Sequence, residues 1–176
     1  YKNVLRSIHF ITSEEGLNMS YKRITLSTSG ISKMIRKLAD DNVKVNLALS
    51  LHAANEELRK KIMPIGKSNT LEEIRDSLKY YFSKTKKKVT YEYVLLRDVN
   101  DSIEDAYQLY KYTKHLSSKV NIIEYNAVEG LEFKKSSFEK TEKFIGYLLK
   151  KGVNVSLRRS RGKDINAACG QLANKN

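Results

Sequence analysis

The chain has 176 residues and a formal net charge of +13, from 33 Lys and Arg against 20 Asp and Glu. That length holds one domain with a real core and is short for two; no apolar run approaches the roughly 20 residues that cross a bilayer, so no membrane partner is expected. So large a basic excess attracts polyanions, RNA or DNA first among them, the plain alternative being a lysine-rich soluble surface.

In chain order, Tyr1-Lys2-Asn3-Val4-Leu5 already reads as helix, with neither a preceding cap nor an initiating Met, as in a segment taken from a longer protein. Val4, Leu5, Ile8 and Ile11 share one helical face, and Gly16 is expected to stop that helix. Arg23 to Ser27 reads as a strand that ends in Ser27-Thr28-Ser29-Gly30. Ile31, Ile35 and Leu38 mark the next helix, and Val43 to Leu51 a second strand. Asn55 caps a short helix with an acidic first turn, Glu56 and Glu57, which Pro64 ends. Thr70 with Glu73 forms a capping box ahead of Leu71, Ile74 and Leu78. Lys88 to Leu96, rich in Val, Thr and Tyr, is a third strand. Ser102 caps a helix bearing Ala106, Leu109, Tyr110 and Thr113, and Lys119 to Tyr125 is a fourth strand. Ser136 with Glu139 reads as another capping box, leading Phe138, Thr141, Ile145, Leu148 and Leu149 to a stop at Gly152. Val153 to Arg158 is a fifth strand.

Strands alternating with helices across short connections imply an α/β fold with a parallel sheet and crossover helices. Ligands gather at the C-terminal ends of such strands. That rule selects Ser27-Thr28-Ser29-Gly30, Ser50-Leu51-His52-Ala53, Leu96-Arg97-Asp98, Tyr125-Asn126 and Arg158-Arg159-Ser160-Arg161. Each has a plain reading: hydroxyls and glycine also cap helices, a lone histidine also satisfies a strand end, and asparagine also serves turns. Lys84, Lys86, Lys87 and Lys88 read first as a solvated connection and second as phosphate contacts. No glycine-rich phosphate loop and no histidine pair at metal spacing is present, and Glu92 and Asp98 do not form an obvious acid–base pair.

The sole cysteine, Cys169, lies in Asp164-Ile165-Asn166-Ala167-Ala168-Cys169-Gly170-Gln171-Leu172. One thiol makes no intrachain disulfide, which suits a reducing cytoplasm. Nor does it hold a zinc ion or iron–sulfur cluster, which take about three or four such ligands. Cys169 is therefore an inert buried thiol or a nucleophile. Arg158, Arg159, Arg161 and Lys163 lead into it, and basic neighbours lower a thiol's pKa and guide anions.

The strings RITLSTSG (23–30), NLALSLHAANEELRKKIMPI (46–65), YEYVLLRDVNDS (91–102) and DINAACGQL (164–172) occur collinearly. Together they resemble the bacterial radical-SAM adenine-C2 RNA methyltransferases of the RlmN type. Ser29 and the Ala53-Ala54 pair after His52 look more like that family than the related Cfr enzymes, which act on C8 and carry STVG and SLHS there. The resemblance implies a partial (β/α) barrel of the radical-SAM type, truncated at its N-terminal strands, with about five mostly parallel strands and flanking helices. It implies S-adenosylmethionine and a [4Fe–4S] cluster as cofactors, and 23S rRNA and tRNA as partners. Residue by residue, Ser27, Ser50, Leu51, His52 and Asn126 fall on cofactor-binding positions. Cys169 falls on the cysteine that is methylated and then delivers the carbon to C2 of adenine through a radical. That carbon is not nucleophilic, so plain displacement cannot methylate it.

The cluster motif Cys-x-x-x-Cys-x-x-Cys, the second catalytic cysteine, the Gly-Glu-Pro segment, the catalytic glutamate and the N-terminal RNA-binding domain of the family are not in this chain. The resemblance therefore implies the C-terminal part of an enzyme, inactive alone. Residues 1–160 form the partial barrel and 161–176 a segment carrying Cys169. A standalone RNA-binding or scaffold module and Cfr-type C8 chemistry are the alternatives. An open parallel edge at the missing strands predicts self-association.

Overall fold

Residues 89–95 set the plan of the whole sheet. Val89, Tyr91, Tyr93 and Leu95 are buried among apolar side chains, while Thr90, Glu92 and Val94 between them face the other way. A strand's side chains alternate with period two, so one segment serves two faces. The structure, a computed structural model, describes residues 1–128 and 130–158. Among them, β1 (Thr25–Thr28), β2 (Asn46–Ser50), β3 (Val89–Leu95), β4 (Ser118–Glu124) and β5 (Val155–Arg158) form a sheet in the order 1-2-3-4-5, with every neighbouring pair parallel. The α/β class and the five parallel strands expected from the sequence are those observed.

Six α-helices accompany the sheet among the described residues: α1 (Lys2–Thr12), α2 (Ser32–Asp40), α3 (Glu56–Ile62), α4 (Leu71–Thr85), α5 (Ile103–Thr113) and α6 (Phe138–Lys150). Ile35 and Leu38 of α2, Ile74, Leu78 and Tyr81 of α4, Leu109 of α5 and Phe144 and Leu148 of α6 join Leu47, Leu49, Tyr91, Tyr93, Val120 and Ile122 in one core. Burying each such side chain contributes about 1.5–3 kcal/mol. Tyr93 lies 5.5 Å from Phe144 and Tyr91 lies edge-on 5.8 Å from Tyr112, ring centre to ring centre. The buried hydroxyls are satisfied on backbone carbonyls: Tyr81 donates to Val45 at 2.7 Å, Tyr93 to Asn100 at 3.0 Å and Tyr112 to Leu71 at 3.0 Å.

Several expected caps are in place. The Asn55 side chain accepts from the Leu58 N–H at 3.0 Å, and Thr70 with Glu73 forms the reciprocal box. Ser102 is completed by Asp105. The cap of α6 is different: Ser137, not Ser136, accepts from the Lys140 N–H at 3.2 Å. Ser136 is buried instead and donates to Asp101 Oδ2 at 2.6 Å. A carboxylate in reach of that hydroxyl outcompetes the helix end. Strand limits also move. The second strand starts at Asn46 rather than Val43, because Asn42 turns left-handed (φ 53°) and the Val43 N–H still bonds to Leu38 O in the helix end. The first helix stops at Thr12, before Gly16.

Candidate functional site

The face of the sheet that the helices leave uncovered is built from the other half of the alternation. Thr25 and Ser27 of β1, Ala48 and Ser50 of β2, Thr90, Glu92 and Val94 of β3, and Asn121 and Ile123 of β4 line a cavity of about 730 Å³. Leu96, Tyr125, Val128, Leu131 and Phe133 extend its wall beyond the strand ends, and Arg158 closes it from β5. Tyr125 and Phe133 meet edge to face with ring centres 6.3 Å apart.

Four of the residues singled out from the sequence, Ser27, Ser50, His52 and Asn126, line this one cavity although they come from three different strand ends. Leu51 does not: its side chain is fully buried in the core, on the opposite face from its neighbours, and its N–H donates to Glu92 O at 3.0 Å. Cys169, with Arg159, Ser160, Arg161 and Lys163, lies outside the described residues. The lysines 84, 86, 87 and 88 join the last turn of α4 to the start of β3, at the opposite end of β3 from Leu96.

His52 is held by backbone on both sides. It takes a left-handed conformation (φ 57°), its carbonyl accepts from Asn100 Nδ2 at 2.7 Å, and its Nδ1 accepts from the Val94 N–H at 3.2 Å. An accepting Nδ1 requires the tautomer with hydrogen on Nε2. Removal from water, and then the charge of Arg59, push its pKa down to about 4, so the ring is neutral at pH 7. Asn100 is the clamp of this corner: it also donates to Val94 O at 2.8 Å and accepts from the Leu96 N–H at 2.7 Å. Asp101 completes it, accepting from Ser136 and pairing with Lys140 at 3.3 Å. The stretch Tyr91 to Ser102 is thus one device, with core tyrosines, cavity residues, a two-residue clamp and a helix cap in succession.

The loop carrying Ser27 to Gly30 is pinned from behind. Arg59 of α3 is fully buried and donates to Ser29 O at 2.7 Å, and burial pulls its pKa below the usual value. Gly30 has φ 99°, and a Cβ there would come within 2.9 Å of Ile74 and 3.1 Å of the Arg59 guanidinium. Glycine is required by both backbone and space.

Residue-type reasoning missed Glu92 and Asn121. Glu92 Oε1 accepts from Asn121 Nδ2 at 2.9 Å, and Asn121 Oδ1 accepts from Ser156 Oγ at 2.8 Å. Glu92 Oε2 and the Tyr125 hydroxyl are buried without hydrogen-bond partners among the described residues. The signal was the alternation itself: a carboxylate between two tyrosines in a strand belongs on the face opposite theirs. A roomy, partly apolar cavity with a few converging polar groups is the form of a small-molecule site.

The sequence pattern of the Radical SAM superfamily matches residues 3–110. Proteins named "Probable dual-specificity RNA methyltransferase RlmN" from Christiangramia forsetii and Flavobacterium psychrophilum are 51% and 55% identical over 175 residues, each alignment covering 99% of this chain and 50% of the relative. The chain therefore spans about half the length of the curated relatives it matches. A radical SAM methyltransferase from Sphaerobacter thermophilus superposes with a TM-score of 0.94 at 37% identity, over 97% of this chain and 50% of that one. A domain of pyruvate-formate lyase-activating enzyme from Bacteroides vulgatus, at 13% identity and a TM-score of 0.59 over 76% of this chain and 80% of that one, shares the fold alone.

Proposed function

The chain belongs to the radical SAM superfamily, and from that membership we propose that it is the C-terminal half of a cytoplasmic RNA methyltransferase of the RlmN type, acting on C2 of adenine in 23S rRNA and tRNA. The observation that carries this reading is the convergence of Ser27, Ser50, His52 and Asn126 on one cavity at the strand ends, in a chain half identical to proteins bearing that name over 99% of its length.

The residues present fit S-adenosylmethionine. The cavity joins an apolar wall to a polar floor, and Glu92 Oε2 and the Tyr125 hydroxyl, buried without hydrogen-bond partners among the described residues, suit polar groups of a ligand. Ser27, Ser50, His52 and Asn126 would hold it, with Leu51 contributing through its backbone. When bound, together with an iron–sulfur cluster, it supplies a methyl group and the radical that activates an inert C–H position. Cys169 Sγ, in the segment 161–176 outside the described residues, is the methyl carrier, and residues 1–160 are the partial barrel. The neutral His52 ring would add no positive charge to a cavity holding a cationic cofactor. Arg158 on the rim and the basic excess of the whole chain serve the RNA backbone.

The cluster itself does not fit this chain. One cysteine is too few, and among the described residues no group of three His, Cys, Asp or Glu side chains converges. Its ligands belong to the part of the parent outside these 176 residues, and the isolated chain is expected to be inactive.

The test is anaerobic reconstitution of the full-length parent with RNA, followed by mapping of the modified adenine carbon. A methyl at C2 that disappears in Cys169→Ala supports the reading. A methyl at C8 assigns Cfr-type chemistry instead. RNA binding without methylation, indifferent to Cys169→Ala, assigns a non-catalytic RNA-binding module.

A further inference from the structure

The concave face is zoned. Ser50, Glu92, Asn121 and Ser156 are register partners across β2, β3, β4 and β5 and make one polar row. The next cavity-facing row toward the strand ends is Val94, Ile123 and Arg158, and above it stand Leu96, Tyr125 and Phe133. A hydrogen-bonding floor thus lies beneath an apolar and aromatic wall. That is the division within a nucleoside, a hydroxyl-rich sugar joined to a flat base.

The polar row also has a direction. Ser156 donates to Asn121 Oδ1, which turns the Asn121 amide nitrogen toward Glu92 and fixes Oε1. Oε2 is left as a buried acceptor without a partner. Such an oxygen costs free energy until a donor reaches it. It repels a phosphate or carboxylate and welcomes a hydroxyl.

We propose that Glu92 accepts a hydrogen bond from a ribose hydroxyl of the nucleoside seated in this cavity, with Asn121 and Ser156 as the positioning residues that aim its carboxylate. The proposal rests on the reading that the cavity takes S-adenosylmethionine, and it adds to that reading the residue that selects a ribonucleoside over its deoxy counterpart.

The test is binding, not turnover. Full-length protein is titrated anaerobically by calorimetry with S-adenosylmethionine and with its 2′-deoxy and 3′-deoxy analogues. The wild type should bind one analogue at least about tenfold more weakly, the scale of one hydrogen bond to a charged group. Glu92→Gln, which presents an N–H where Oε2 was, should weaken the parent compound by a similar factor and leave the affinity for that analogue nearly unchanged. Ser156→Ala should give a smaller loss with the same preference. Equal affinity of the wild type for all three compounds overturns the assignment without using any variant, and so does an equal loss on all three in Glu92→Gln. Failure of the wild type to bind S-adenosylmethionine at all overturns the cofactor reading and this assignment with it.

Discussion

Tyr93 and Glu92 are neighbours in sequence and opposites in role. Tyr93 sits in the helix-covered core beside Phe144, while Glu92 lies on the concave face in a row of hydroxyl and amide groups. The same division runs through β2, where Leu47 and Leu49 face the helices and Ala48 and Ser50 face the cavity. One face holds the fold together by area and close packing; the other lines the cavity and carries buried polar atoms without partners among the described residues. Stability and ligand chemistry are therefore separable by alternate residues of one strand.

The sharpest way to break that separation is a matched pair of substitutions. Phe144→Ala removes a fully buried ring from the helix-covered face and should cost about 3–5 kcal/mol in urea unfolding. Glu92→Gln on the cavity face keeps the shape and the contact to Asn121, and should change stability by less than about 1 kcal/mol. Comparable losses in the two would show that the faces are not independent.

Asn100 joins the faces, so its removal should be intermediate. Asn100→Ala leaves the carbonyls of His52 and Val94 and the N–H of Leu96 without their partner. At about 1 kcal/mol or more per buried group, an unfolding loss of about 3 kcal/mol is expected. A loss below about 1 kcal/mol would mean that water replaces the side chain and that the clamp is dispensable.

His52 sharpens the comparison through pH. Its folded pKa is about 4 against an ordinary 6.5, so between those values the unfolded chain binds a proton that the folded chain refuses. Stability from this group is present above pH 6.5 and is lost as pH falls toward 4. At about 1.36 kcal/mol per unit the loss amounts to up to about 3 kcal/mol. His52→Gln should flatten that part of the stability profile, measured by urea unfolding at pH 7 and pH 4.5. An unchanged slope would mean that the ring is open to water and not held by the Val94 N–H.

Much of this was legible from residue order. The five strands and their helices follow from apolar periodicity and from caps such as Asn55 and Thr70 with Glu73, and the rule about strand ends selected Ser27, Ser50, His52 and Asn126, which line one cavity. What was missed is tertiary in origin. Ser136 has the local pattern of a cap, yet Asp101, 35 residues earlier, takes its hydroxyl. Glu92 sits in a strand whose tyrosines dominate its reading, and its meaning depends on Asn121 and Ser156 from two further strands. Arg59 stands beside Lys60 and Lys61 with no local mark of burial, yet it is buried beneath the Ser29 carbonyl, 30 residues earlier.

The smallest effect expected lies at the border of the two faces. Among the described residues β1 pairs on one side only, with β2, and its four residues are exposed or half-exposed. An open edge offers unpaired N–H and C=O groups to a second chain, and exposed Phe10, Leu17 and Tyr21 lie just before it in sequence. We expect the isolated 176-residue chain to self-associate weakly, as light scattering across a concentration series would reveal. Four residues make a short edge, so the association should be concentration-dependent rather than tight. A lysine on such an edge opposes pairing, so Thr25→Lys should return the chain to monomer while leaving the helix-covered core, and its unfolding free energy, nearly unchanged. A monomer at every concentration in the unsubstituted chain would show that the edge is already protected.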